Sequence, residues 1–540
     1  MYPTGKFSLA FWLLLGLVVP VLLLFVAAPA VCADQVKEVR IADSKGDWGY
    51  PNPYQHYPRG PGYVRMSWVF DTLVWKDQEG YVPALAQSWS YEEQEQAFVF
   101  ELQPEAKWHD GRPVTARDVA FTVEYFQEHP YYWISVQDIQ KVEVKGEHKV
   151  IMHLKRPYSA FISDVGGTMP ILPRHIWESV EDPRSFIQPQ AFIGSGPYKF
   201  ADFSKEKGSY LFKAFADYYQ GRPKAERLIY VRSGQPMLSL ASGEADLASI
   251  KPQMASQLEK QGMEIIRNER GWNKKLMINH RRSPGSEKRF RQALAYAIDR
   301  QKLVDKAQQG YGQPASYGLL SVDHEMYNPD LPEYGPDVQK ARSTLQDLGL
   351  EMTDSGFYAQ DGEILELELL TSDIATGGQR EQGRDGEVLQ KQLEAAGIKV
   401  DLSNMEQTST DNKVKNWDFD LAISGHGGVS GDPRILNEMI SSKYGAGSVN
   451  SARFDENQKL NRLLEEQLQE MDREKRKQLV KSIQKVYARE LPAIPLYYPD
   501  TMAAYNPEKG IEWFYTKGGI SKGIPIPQNK MALIGEEGQE

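Results

Sequence analysis

Between residues 97 and 154 the spacing of apolar residues changes from strand-like alternation to helical spacing and back to alternation. This change restricts the possible fold more than any other sequence feature. Apolar residues alternate in AFVFEL at 97–102 and again in KVIMHL at 149–154, which is typical of half-buried strands. Between them, Thr115 followed three residues later by Asp118 forms a capping-box pattern that predicts the start of a helix. The order strand, helix, strand predicts an α/β chain of mixed sheets.

Two further segments have helical periodicity over longer stretches. Apolar residues share one face in 288–304, and a second amphipathic pattern runs over about 456–490. The chain has 540 residues, which is too long for one ordinary core and predicts two or three domains. Because no long linker separates the segments, we expect the domains to touch and the chain to cross between them more than once.

The N-terminus predicts export. Lys6 precedes an uncharged stretch from Phe7 to Ala33, and small residues before Asp34 match signal-peptidase cleavage after Ala33. The alternative is a retained membrane anchor, because the apolar run is long enough to span a bilayer. Lipidation of Cys32 is a weaker hypothesis, since a small residue is expected where Val31 stands. Cleavage would remove the single cysteine and leave a soluble body without thiols.

Charge and motifs exclude several function classes. The net charge is −10 and no basic block occurs, so the sequence lacks the cluster of Lys and Arg that is typical of nucleic-acid-binding proteins. The sequence contains no HExxH motif and no pair of histidines at i, i+4. We therefore predict no enzyme activity and no cofactor. An exported hydrolase remains the alternative of another class, and Asp418 and Asp420 are an example of a carboxylate pair that it could use.

Several motifs in fixed order resemble those of the family 5 extracellular solute-binding proteins, which serve peptide and nickel ABC importers. The motifs are FDTLV at 70–74, PALAQSW at 83–89, WHDGRPVTARDV at 108–119, IGSGPYKF at 193–200, ADYYQGRP at 216–223, SGEADL at 242–247 and RFRQALAYAIDR at 289–300. The resemblance covers most of the chain after residue 33. It implies a two-lobed class II periplasmic-binding-protein fold with an extra subdomain in lobe I.

The resemblance also implies domain boundaries. Residues 1–33 are the signal peptide, and the extra subdomain covers 76–189. Lobe I combines 34–75, 190–268 and 492–540, and lobe II covers 269–491. The implied hinge crossovers lie near 268–279 and near 491–498, where LPAIPLYYP is predicted to form an apolar strand broken by prolines.

The glycine-rich stretch LAISGHGGVSGDPRI at 421–435 is not a phosphate loop, because it lacks the required lysine and spacing. By resemblance, it follows a lobe II strand at 417–423 and forms a wall of the binding cleft. By resemblance, many relatives that bind peptides carry an aspartate a few residues before the proline that grips the peptide's α-amino group, whereas this chain has Gly428, Val429 and Ser430 there. We expect Asp432 to cap the next helix, and the glycines to bring backbone amides close to a ligand.

The resemblance places the candidate ligand-binding residues in two parts of the chain. The loop at 47–63 lies where the family has its first cleft loop, and Trp272 follows the first implied crossover. The predicted ligand-binding residues are Tyr54, Arg59, Trp272, His426, Gly427, Gly428 and Val429. No metal site is predicted, and His426 would become a metal ligand only under a nickel-chelate alternative.

Together these features predict the exported binding component of an ABC importer, which captures a small polar solute between its lobes. An oligopeptide is the preferred solute, because a wide cleft lined by glycine backbone tolerates varied side chains. The alternatives are a metal chelate and, from another class, a membrane-tethered sensor. The implied partners are a permease and separate ATPase subunits, no nucleic acid is expected, and the mature chain is predicted to be monomeric and periplasmic.

Overall fold

The computed structural model describes residues 36–372, 384–445 and 448–534, and two large β-sheets organise them. The predicted signal peptide at 1–33 lies outside the described residues and stays a prediction. In the described residues no helix is both long enough and apolar enough to cross a bilayer.

The first large sheet has seven strands in the order β12-β22-β11-β1-β10-β9-β8. Its strands are β1 (Val39–Asp43), β8 (Tyr198–Ser204), β9 (Ser209–Ala214), β10 (Arg227–Arg232), β11 (Leu247–Ile250), β12 (Glu264–Arg267) and β22 (Met502–Tyr505). The central strand β1 runs parallel to both β10 and β11, whereas the outer pairs are antiparallel. Distant parts of the chain therefore build one sheet.

The second large sheet has six strands in the order β14-β21-β13-β20-β18-β19. Its strands are β13 (Trp272–Ile278), β14 (Gly312–Pro314), β18 (Glu366–Ser372), β19 (Lys399–Met405), β20 (Leu421–Gly427) and β21 (Ala493–Pro499). Strand β21 is buried at every position, as expected for LPAIPLYYP. The sheet accommodates Pro495 with a register shift against Lys274 and Lys275 of β13, since proline cannot donate a ladder hydrogen bond.

Smaller sheets complete the strand inventory. They comprise β2 (Val74–Lys76), β3 (Tyr81–Pro83), β4 (Ala86–Glu92), β5 (Ala97–Leu102), β6 (Ile139–Lys145), β7 (Lys149–Leu154), β15 (Glu351–Met352), β16 (Tyr358–Gln360) and β17 (Glu363–Ile364). The four-stranded sheet β4-β5-β7-β6 contains both strands predicted from period-two alternation, and they pair directly with each other.

Helices cover the sheets. They are α1 (Gly60–Ser67), α2 (Ala116–Glu128), α3 (Arg174–Trp177), α4 (Pro236–Ala241), α5 (Ala255–Lys260), α6 (Lys288–Ala297), α7 (Arg300–Ala307), α8 (Val338–Asp347), α9 (Arg384–Ala395), α10 (Gln407–Lys415), α11 (Ile435–Ile440), α12 (Ser442–Gly445), α13 (Gln458–Gln469) and α14 (Arg473–Glu490). Each large sheet has its own hydrophobic core beneath these helices.

Two predicted single helices are each two helices. The segment 288–304 breaks at Ile298, whose extended backbone ends α6. The next residue, Asp299, caps α7, because its side chain accepts a hydrogen bond from the Lys302 amide. The segment 456–490 breaks before Asp472, whose side chain caps α14 by accepting from the Lys475 amide. In both segments an aspartate within the amphipathic pattern is a helix start.

Helix α2 begins as the capping box predicts. The Asp118 carboxylate accepts two hydrogen bonds from Thr115, one from its backbone N–H at 2.8 Å and one from its hydroxyl at 2.9 Å. It also accepts the Arg174 backbone N–H at 3.0 Å, so that it joins the start of α2 to the start of α3.

Asp118→Ala should therefore lower the free energy of unfolding by about 1–2 kcal/mol, because three donors lose one acceptor. Urea unfolding of the purified chain measures this change. Ser88→Ala, at an exposed position of β4, is the control and should change stability by less than about 0.5 kcal/mol. Equal stability of the two variants would contradict the capping role.

The chain passes between the two large sheets twice, at adjacent places. It leaves β12 for β13 through residues 268–271 and returns from β21 to β22 through residues 500–501. The Asn268 backbone N–H donates to the Thr501 carbonyl at 3.0 Å, so the two connections are hydrogen-bonded to each other. The lobe boundaries given above stay a prediction.

Candidate ligand-binding site

The start of β13 and the end of β20 lie side by side, next to the first connection between the sheets. The antiparallel register pairs Trp272 with Gly427 and Asn273 with His426. Four of the predicted ligand-binding residues, Trp272, His426, Gly427 and Gly428, therefore come together at this end of the six-stranded sheet.

Trp272 explains the glycine spacing in β20. A Cβ atom added at Gly425 would lie 2.5 Å from Nε1 of Trp272, and one added at Gly427 would lie 3.2 Å from its Cε3. The indole ring therefore lies across the two glycines. Its Nε1–H is buried and donates to no group among the described residues. Three other tryptophan N–H groups in the described chain are also unpaired, but this one lies beside the end of β20, so it is the candidate for ligand contact.

The two edges of β20 differ in how far they pair with neighbouring strands. Strand β18 pairs with β20 only at Leu421 and Ala422, whereas β13 pairs with β20 along its whole length. No described strand pairs with the other edge of residues 423–427. These residues can therefore offer backbone donors and acceptors to an extended molecule.

His426 is already engaged within the protein. Its Nδ1 lies 2.5 Å from the Gly427 carbonyl oxygen, and its Nε2 lies 3.4 Å from a carboxylate oxygen of Glu438 on α11. Burial raises the pKa of Glu438, but His426, Arg434 and Lys522 together hold it below its usual value. Across the described ranges, no group of three or more His, Cys, Asp and Glu side chains is arranged to hold a metal ion.

Gly428 contacts protein backbone. It has a φ of +85°, and a Cβ added there would lie 3.1 Å from the Lys522 carbonyl oxygen. A Cβ at Gly523 would come within 2.5 Å of the Gly428 Cα atom. Glycine is needed here because two loops approach closely. The neighbouring Val429 side chain is fully buried in a hydrophobic core.

Asp432 caps the turn before α11 and also forms an ion pair. Its carboxylate accepts the Arg434 backbone N–H at 2.8 Å, close to the expected capping role. Arg476 of α14 donates to both carboxylate oxygens, at 2.6 and 3.1 Å. Burial raises the pKa of Asp432, but the two arginines outweigh it and leave the pKa below its usual value.

The remaining predicted residues have contacts elsewhere. Tyr54 lies in an aromatic cluster and its hydroxyl donates to the His129 carbonyl. Arg59 is exposed and interacts electrostatically with Asp411 of α10. Burial raises the pKa of Asp411, and Arg59 opposes that shift.

A charged junction that the sequence did not indicate joins α11 to a distant segment. Arg434 lies 2.5 Å from Asp164, whose carboxylate also accepts the Tyr158 hydroxyl. Arg434 further pairs with Glu438 at 3.1 Å, and Lys522 interacts electrostatically with both acids. Three residues before Lys522, the Gly519 carbonyl accepts a hydrogen bond from the Lys76 ammonium at 3.1 Å.

These features define the class of protein: an α/β binding protein with two sheets, paired connections between them and a candidate site beside those connections. A family model described as bacterial extracellular solute-binding proteins, family 5 middle, matches residues 80–448, more than half of the chain. The chain belongs to this family.

Sequence relatives are named for different ligands. Oligopeptide-binding protein AppA of Bacillus subtilis is 26% identical over 461 residues, which covers 78% of this chain and 81% of the relative. Heme-binding protein A of Haemophilus influenzae is 23% identical, covering 79% of this chain and 80% of the relative.

Solved structures agree with this architecture. AppA from Bacillus subtilis in complex with a nonapeptide has a TM-score of 0.73 and 22% identity, covering 90% of this chain and 97% of its own. NikA from Brucella suis in complex with Fe(III)-EDTA has a TM-score of 0.77 and 21% identity, covering 91% and 99%. The predicted two-lobed α/β fold is confirmed.

Proposed function

We propose that this chain is the exported substrate-binding component of an ABC importer and that its solute is an oligopeptide. The observation that carries this proposal is that one edge of β20, over residues 423–427, pairs with no described strand. An extended peptide carries donors and acceptors at regular intervals, and it can add to such an edge as a further strand.

Trp272 supports the same proposal. Its indole N–H is buried without a partner beside this edge, and the ring forms an apolar wall over Gly425 and Gly427. A peptide lying along the edge would meet one side-chain donor and one flat apolar surface. The name of AppA and its nonapeptide complex are consistent with a peptide ligand.

The delivery mechanism follows from the paired connections. A peptide that contacts both lobes favours the closed arrangement over the open one, because its affinity for the closed arrangement is higher. A membrane permease would recognise the closed form, and separate subunits would hydrolyse ATP. The chain itself would catalyse no reaction.

Binding can be tested with the chain that starts at Asp34. We expect an equimolar tripeptide pool to raise its thermal midpoint, with about 2.7 kcal/mol of stabilisation at a ligand concentration of 100 Kd. Trp272→Phe keeps an aromatic wall but removes the N–H, and should weaken peptide binding about tenfold. Lys213→Met, an exposed change on β9, is the matched control. Stabilisation by nickel–histidine and none by peptides would overturn the proposal in favour of a metal chelate.

A further inference from the structure

Four polar residues face the helical layer from the end of the β13–β20 pair. Asn273 and Lys275 lie two residues apart on β13, and the register pairs them with His426 and Ser424 of β20. Paired residues of antiparallel strands point to the same face of a sheet. Met277, two residues further along β13, packs in the core beneath α11, which identifies this face. We call Asn273, Lys275, Ser424 and His426 the Lys275 pocket.

Two members of the Lys275 pocket form no hydrogen bond with a described residue. Asn273 is 0% exposed, and neither its amide nitrogen nor its amide oxygen has a hydrogen-bond partner in the described chain. Lys275 is 1% exposed, and within the same residues its ammonium forms no hydrogen bond and no ion pair. Buried polar groups are almost always paired, so these two side chains together indicate a site for a polar group from outside the chain.

The surrounding charges indicate the sign of that group. Lys275 interacts electrostatically with Glu438, but that carboxylate already lies beside His426 and Arg434. Lys522 interacts with Glu438 too, and its ammonium makes no hydrogen bond or ion pair with a described residue. A buried lysine and a half-buried lysine thus share one carboxylate that other groups already neutralise. A further negative charge would be stabilised here.

We propose that Asn273 and Lys275 bind a carboxylate of the solute, with Lys522 adding positive charge from the segment at 516–524. This inference rests on the proposed peptide function and gives it a substrate class: peptides whose C-terminal or side-chain carboxylate enters the Lys275 pocket. Lys275 donates to the carboxylate through its ammonium, and Asn273 donates through its amide nitrogen.

Proton linkage gives the pocket a measurable signature. Burial lowers the pKa of Lys275 to about 7, and Glu438 opposes the shift only in part. A bound carboxylate stabilises the charged amine and raises this pKa again. Carboxylate binding should therefore take up protons above pH 7, and affinity should fall as the pH rises. The other titratable group on this face of the paired strand is His426 of β20, and on β21 the register partner of Lys275 is Pro495, which does not titrate.

Three probes of the same length distinguish the sources of the carboxylate: trialanine, trialaninamide and Ala-Glu-Ala amide. Calorimetric titration of the wild-type chain at about pH 6.5 and about pH 8.5, in two buffers with different ionisation enthalpies, measures affinity and proton uptake. We expect trialanine or Ala-Glu-Ala amide to bind at least about tenfold more tightly than trialaninamide at the lower pH. We also expect uptake of up to about one proton at the higher pH.

Lys275→Met should remove both the tighter binding of the two carboxylate probes and the proton uptake. It should still bind trialaninamide as weakly as the wild type does, which would show that the site is folded. Lys275→Gln is the second variant, and Lys213→Met should behave as the wild type. If the wild type bound all three probes with equal affinity and without proton uptake, carboxylate binding by the Lys275 pocket would be contradicted. The proposal that the solute is a peptide would be unaffected. Binding of none of the probes would overturn both. If neither variant folds, the wild-type comparison alone decides.

Discussion

Asp71→Ala should lower the free energy of unfolding by about 3–5 kcal/mol, because it leaves a buried ammonium without its counterion. Asp71 is 0% exposed and forms an ion pair with Lys530, which is 1% exposed. The same carboxylate accepts the hydroxyls of Tyr218 at 2.9 Å and Tyr219 at 2.7 Å. Burial lowers the pKa of Lys530, and only Asp71 is close enough to oppose this shift.

Urea unfolding measures this loss, with Asp217→Ala, at an exposed position nearby, as the control. The double variant Asp71→Leu with Lys530→Met should recover part of the stability, since it removes both charges together. If Asp71→Ala were as stable as Asp217→Ala, the ion pair would contribute nothing to folding.

Asp164→Asn should weaken peptide binding by about ten- to a hundredfold, equivalent to about 1.4–2.7 kcal/mol, with a smaller effect on unfolding. Asp164 joins the segment at 158–166 to Arg434 on α11, and both side chains are largely buried. If this contact forms when the lobes close, its loss makes closure less favourable, and the ligand must offset that difference. Arg434 would retain only Glu438.

Titration calorimetry with a tripeptide pool measures the affinity of Asp164→Asn, and small-angle scattering measures the distribution of open and closed forms. Glu178→Gln removes an exposed ion pair with Arg174 on α3 and should leave both quantities unchanged. Unchanged peptide affinity in Asp164→Asn would show that the junction does not contribute to closure.

Local signals in the sequence predicted local structure well. The capping box at Thr115 and the alternating strands at 97–102 and 149–154 are present because the information lies within a few residues. The two helix breaks were missed at Asp299 and Asp472. Apolar periodicity continues across each break, and an aspartate within such a pattern can lie on a solvated face or cap a new helix.

The site was predicted only in part, because its contacts join distant residues. The resemblance identified Trp272 and the stretch from His426 to Gly428, and the structure brings these together. Asp164 and Lys522 reach α11 from segments far away along the chain, so no local pattern could indicate them. The triplet Asn273-Lys274-Lys275 within the apolar β13 was a usable signal, since buried lysines in a central strand require an explanation.

The glycines show why residue type alone does not give a role. The sequence suggested that they let a ligand approach the backbone. In the structure Gly425 and Gly427 accommodate the ring of Trp272, and Gly428 accommodates the backbone at Lys522 and Gly523. The absence of a side chain is evident from the sequence, but the group that occupies the space depends on the tertiary fold.

Native mass spectrometry of the freshly purified mature chain tests the central claim most directly, because it shows what the protein has captured. A spread of added masses that match short peptides, lost when a competing tripeptide is added in excess, is the result that our proposal predicts. A single added mass with a nickel isotope pattern, unchanged by the tripeptide, would contradict it and place a metal chelate beside His426.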